Sequence, residues 1–188
     1  MFKKIVSLVA VLALVLAACA FAATSPTANE PVSGELTSPV GADLSGLSID
    51  LEKVSETALE VYNSIKDKNI ADEVGDEFKL NAIANGIVPA DVDFSKYAID
   101  KFFSLEIEGY KNEMGDVEVT FPFVPGYSVD DDLLGAVGVV DGEDVSWTPV
   151  AAKANEDGSV TATFTEELAD TVQNGTGESV FALLRNAD

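Results

Sequence analysis

Asp130-Asp131-Asp132 is the only run of three consecutive acids in this chain, and three adjacent carboxylates suit a hard cation. Calcium takes oxygen ligands alone. It is the one metal cofactor the composition admits, because the sequence holds no histidine. Zinc, copper and non-haem iron lose their usual imidazole ligand, and the single thiol, Cys19, stands in the N-terminal apolar segment. Asp130, Asp131 and Asp132 are therefore the candidate metal ligands, joined by Asp141, Glu143 and Asp144 if the two loops meet. The missing histidine also removes Ser-His-Asp and Cys-His nucleophile systems. Catalysis would rest on paired carboxylates, as in glycoside hydrolysis. With 33 acids no pair stands out, Trp147 is the only tryptophan for a sugar platform, and no catalytic residue is assigned.

A second chemistry belongs to Cys19. Lys3 and Lys4 open the chain, Ile5 to Ala18 is apolar apart from Ser7, and Leu16-Ala17-Ala18-Cys19 closes the run. A basic start, an apolar stretch and small exit residues make an export signal, residues 1–18. The ending resembles the bacterial lipobox, which implies diacylglyceryl transfer to the Cys19 thiol and cleavage before it. Two other readings stay open. Ala20-Phe21-Ala22 offers plain secretion with cleavage before Ala23, and Ile5 to Ala23 is just long enough for an uncleaved anchor. All three place the folded part outside the cytoplasm, with membrane contact through the N-terminal anchor where one is kept.

Removing residues 1–18 takes away two lysines and no acid, which leaves a net charge of −24. Such a surface repels phosphate backbones and anionic headgroups, so nucleic acid is excluded as a partner. A cell-wall glycan or an extracellular protein is the expected kind of ligand. No intrachain disulfide can form, so the fold must rest on packing.

Positioning elements follow from periodicity. Residues 19–48, with Pro26, Pro31 and Pro39 and many small polar residues, read as a disordered tether. Residues 49–100 form a helical and mixed segment. Leu51, Val54, Ala58, Val61, Tyr62 and Ile65 recur at helical spacing, with Ser48 or Asp50 as cap and Asn69 as stop. Phe78, Leu80 and Ala82 alternate as in a strand, and Asp91 to Tyr97 reads as one helical turn and a loop. Residues 101–188 form an antiparallel β domain. Phe103-Leu105-Ile107 and Val117-Val119-Phe121-Phe123 alternate as a half-buried hairpin, and Leu134 to Val140 turns at Asp141-Gly142 into Val145 to Thr148. After the turn Asn155 to Gly158, Val160, Ala162 and Phe164 alternate. A short helix over 166–173 is capped by Thr165 and stopped at Asn174-Gly175, and 179–184 is the last strand. The fold class is α+β, mainly β: an amphipathic helix before an antiparallel sandwich or barrel of about six strands, with Trp147, Phe121 and Phe164 pointing inward.

The succession VEVTFPFVPGY, LLGAVGVVDGEDVSWTP, DGSVTATFTEEL and SVFALL is similar to β-sandwich modules of Gram-positive surface proteins, over about residues 103–184. The resemblance implies a spacer or binding unit. Ahead of Val160, Lys153-Ala154-Asn155-Glu156-Asp157-Gly158 approaches an EF-hand-type loop. Lys153 and Phe164 stand where that loop needs Asp and Glu, so the stretch is a turn. The expected protein is a non-catalytic extracytoplasmic surface protein for adhesion, ligand binding or envelope structure. The alternative is a small secreted hydrolase using paired carboxylates.

Overall fold

In the computed structural model, residues 26, 27, 29–142 and 144–186 are described. The nine strands are β1 (Val32–Ser33), β2 (Glu35–Thr37), β3 (Ser48–Glu52), β4 (Tyr97–Glu108), β5 (Val117–Phe121), β6 (Leu133–Asp141), β7 (Asp144–Ala154), β8 (Val160–Phe164) and β9 (Ser179–Asn186). The helices are α1 (Glu56–Ile65), α2 (Ile70–Glu73), α3 (Gly75–Ala84) and α4 (Glu166–Asn174). All strand pairs are antiparallel, in the order β1-β3-β4-β9-β6-β7-β8-β5-β2.

The two edges of this sheet belong to one short stretch of chain. Val32–Ser33 pair with Asp50–Leu51, and Glu35–Thr37 pair with Glu118–Thr120, with Gly34 alone between them. The sheet is thereby nearly closed on itself, which removes most of the exposed strand edge. Residues 32–37 fall in the stretch expected to be a tether. Their pairing is made by backbone groups, which ask little of side chains.

Closure separates two cores. Inside, five phenylalanines from four segments touch in sequence: Phe164–Phe181, Phe181–Phe121, Phe121–Phe123 and Phe123–Phe103 have ring centroids 6.3, 6.1, 5.9 and 5.9 Å apart. Leu168, Ala169 and Val172 of α4 cover this core at one end, and Phe123 and Tyr127 join it at the other. Outside, α1, α2 and α3 lie over β4, β9 and β6. Phe78, Val61 and Ile65 pack there with Phe102, Leu134, Ala136, Val180, Ala182 and Leu184. β6 and β9 are buried on both faces, so they are apolar at successive positions instead of alternating, whereas β4 is covered on both sides only over Lys101 to Phe103 and alternates from there to Glu108.

The mainly β class, the hairpins β6–β7 and β7–β8, the Thr165-capped helix and the last strand agree with the sequence reading. Several details differ. The described residues form nine strands, not about six. β4 and β5 do not form a hairpin: β4 lies between β3 and β9, and β5 between β8 and β2. Leu51 belongs to β3, so α1 starts later, with Ser55 as its cap accepting from Ala58 N at 3.0 Å. Asn69 caps α2 instead of stopping α1, its side chain accepting from Ala71 N. Residues 75–84 are helical; Phe78 and Ala82 share one helix face at i, i+4, while Leu80 is 67 % exposed. Phe121 and Phe164 do point inward. Trp147 does not: it is half-buried on the outer face opposite Gly138, beside the helical core.

Candidate functional site

The expected cation ligands are held at opposite ends of one strand. Asp130, Asp131 and Asp132 precede the start of β6, whereas Asp141 ends it and Asp144 starts β7. The length of β6 separates these ends by roughly 25–30 Å, so the two loops do not meet. Glu143 lies outside the described residues, as does Cys19 with every reading of the N-terminus. Among the described residues no three acidic side chains come together in a metal-holding group.

The carboxylates of Asp131 and Asp132 have partners from the protein itself. Asp132 accepts from the Tyr97 hydroxyl at 2.8 Å and from Asn186 Nδ2 at 3.0 Å. Asp131 accepts from Ser128 N at 2.8 Å, and Arg185 Nε stands 3.9 Å from its other oxygen. A guanidinium thus already stands beside the Asp131 carboxylate. Asp100 joins this cluster through a bulge in β4 between Ile99 and Lys101, and it accepts from the Tyr127 hydroxyl. Bulges re-aim a side chain in this way. The run of aspartates ties the loop between β5 and β6 to β4 and β9.

This network has a consequence at alkaline pH. Burial, then the hydrogen bond to Asp100 and the charge of Asp100, push the Tyr127 phenol far above its usual range, with Arg185 opposing. Burial and Asp132 do the same to Tyr97. Both phenols stay protonated in the fold where the unfolded chain ionises. Their contribution is therefore complete below about pH 10 and is lost as pH rises beyond it. Each such proton steepens the loss by about 1.4 kcal/mol per pH unit. Denaturant unfolding between about pH 10 and pH 12 should show this fall, with a shallower slope for Tyr127→Phe than for the wild type.

A groove of ≈ 900 Å³ opens on the wall at the other end, where β4 and β9 part. Their register ends at Leu105–Ser179, while β3 accompanies β4 as far as Glu108. The chain before β9 leaves β4 and stays on β6, with Val140 N donating to Glu178 O at 2.9 Å. Gly177 makes that course possible, since a Cβ there would lie 1.9 Å from the Val140 carbonyl oxygen. Glu106 to Gly109 are left without a strand on the β9 side.

Acidic side chains crowd this split. Glu52, Glu106, Glu108 and Glu178 line it, and among the described residues Lys53 is the one basic group in the lining. Asp50 and Glu106 are directly opposite each other in register, an arrangement that costs stability in a sheet. Glu178 accepts from Ser104 Oγ at 3.0 Å and from Ser55 Oγ, while Ser104 Oγ accepts from Ser55 N at 3.1 Å. Since Ser55 caps α1, the Glu178 carboxylate sits at the positive end of that helix. Ser179, 4 % exposed, also lines the groove, and its Oγ has no hydrogen-bond partner among the described residues. An unsatisfied buried hydroxyl costs about 1–3 kcal/mol.

A second cleft, ≈ 730 Å³, lies between α3 and the outer faces of β7 and β8 and is lined by threonines and by Glu77, Asp116, Glu166 and Glu167. Asp116 there accepts from Glu166 N at 3.0 Å, holding the first turn of α4. No protein-family model, no curated protein and no solved structure matches this chain.

The groove has no counterpart in the sequence reading. Glu106 and Glu108 are visible there as the polar phase of β4, but Glu178 and Ser55 reach them from distant parts of the chain. No local signal joins these residues.

Proposed function

We propose that this protein is a non-catalytic binding protein that works outside the cytoplasm, held at a membrane through lipidated Cys19, and that its acidic groove takes a cationic partner. The observation that carries the binding reading is the split between β4 and β9. Four glutamates face one lysine there, and like charges are tolerated directly across two strands. Local rules of stability are broken most often where function demands it. The interior is filled by phenylalanines, so ligand chemistry belongs to the outer wall. The envelope location rests on Leu16-Ala17-Ala18-Cys19 and the basic, apolar stretch before it.

The test compares two variants of equal charge. Glu52→Gln/Glu106→Gln/Glu108→Gln neutralises the groove, and Glu56→Gln/Glu60→Gln/Glu73→Gln neutralises three acids of the helical layer. A fluorescent oligolysine, titrated at fixed salt and followed by anisotropy, should bind the groove variant about 10–100-fold more weakly than the wild type, at about 0.5–1 kcal/mol per lost pair. The helical-layer variant should lose about threefold or less. Equal losses in both would reduce the binding to diffuse acidity and sink the groove as a site.

A further inference from the structure

Resting on that reading, we infer that the groove's partner is an extended, basic polypeptide segment taken by strand addition along Glu106–Glu108. A split sheet offers what such a segment needs. β4 continues past the end of its pairing with β9, so the alternate backbone groups of Glu106 to Glu108 that are not turned to β3 face the gap with no strand beside them. Main-chain hydrogen bonds give affinity in this mode of recognition, and alternate side chains give selectivity. The three strand residues Glu106 to Glu108 are about 10 Å long, which suits a short peptide segment.

The end of the gap already shows the pairing in miniature. The Gln173 carboxamide accepts from Tyr110 N and donates from Nε2 to Tyr110 O at 3.0 Å. A residue on a neighbouring antiparallel strand would exchange the same two bonds. At the opposite end Ser179 Oγ, buried and without a partner among the described residues, marks where the β4–β9 ladder stops. Between these two points the outward side chains are acidic. Glu106 and Glu108 alternate along β4, and Glu178 stands across the gap with Ser55 and Ser104 on one of its oxygens. A strand laid there with lysine or arginine at every second position would set its cations against these carboxylates. Its apolar positions would meet Leu105, Ile107 and Val172. The alternation of the partner is therefore specified, basic on one face and apolar on the other.

The experiment uses the full chain and three probes: an alternating Lys-Val octapeptide, the same octapeptide N-methylated at alternate residues, and spermine. N-methylation keeps the charge and removes the backbone donors that strand addition needs. The expected result is binding of the octapeptide, at least tenfold weaker binding of the N-methylated form, and slowed hydrogen exchange within residues 106–108 in the octapeptide complex alone. Glu106→Gln/Glu108→Gln should weaken the octapeptide at least tenfold. Equal binding of the methylated and unmethylated peptides, both lost in that variant, would overturn strand addition and leave a cation-binding groove. Binding of no probe, or binding indifferent to the glutamates, would overturn both readings.

Discussion

Phe164→Ala should cost about 3–5 kcal/mol, enough to leave much of the chain unfolded at moderate temperature. Phe164 is fully buried and begins the line of rings that runs through Phe181 and Phe121 to Phe123. Its removal opens a cavity bounded by Phe181 and the inner face of β5, where Val117 is its register partner. Strands held in a closed sheet cannot move in independently to fill it, so the cavity part of the cost should stay high. Thr163→Ala, one residue away on the other face, should stay within about 0.5 kcal/mol. Trp147→Ala is the informative third member. A tryptophan of the inner core would match the loss at Phe164. The half-buried outer tryptophan should cost about 1–2 kcal/mol, the worth of partial apolar burial. Denaturant midpoints for the three variants give the ranking. A Trp147 loss as large as that at Phe164 would contradict the outward phase of β7.

That ranking shows how the sequence reveals one part of the fold and conceals another. Period-two alternation is legible in β5 and β8, because each has one buried and one half-buried face. It fails where a second layer covers the sheet. In β6 and β9 successive residues are buried on opposite sides, so period alone does not say which face belongs to which core. Trp147 departs from its expected place for a related reason. An isolated aromatic in a half-polar strand suggests a core residue, but here Gly138 opposite it leaves room for the indole on the outer wall. The turns at Asp141-Gly142 and Asn155 to Gly158 are readable because their chemistry is local. Which strand pairs with which is decided by contacts far apart in sequence, and β4 accordingly finds β3 and β9 instead of β5. The groove shares that character: its existence depends on where two ladders stop, a property of register alone.

The closure of the sheet provides the second large effect. Gly34 carries the chain from one edge to the other directly over β5. A Cβ at this position would lie 2.0 Å from Val119 Cγ1 and 3.0 Å from the Phe121 ring. Both neighbours are fully buried, and a β-branched side chain has few other rotamers to adopt. Gly34→Ala should therefore destabilise by about 1–3 kcal/mol through overpacking, although alanine is ordinarily favoured over glycine in a strand. Val119→Ala alone should cost about 2 kcal/mol for its lost methyl groups and the space they leave. The double variant puts the methyl group added at position 34 into that space. Its loss should fall short of the sum of the single losses by at least about 1 kcal/mol, within the range of coupling seen for residues in contact. Hydrogen exchange gives a second readout, since amides of β2 and of the facing residues of β5 should exchange faster in Gly34→Ala and recover protection in the double variant. Strict additivity, with unchanged exchange at Glu35 to Thr37, would mean that this segment does not lie across β5 in solution and that the sheet is open there. Coupling would establish that the proline-bearing stretch before β3, polar and unremarkable by composition, is the piece that shuts the wall.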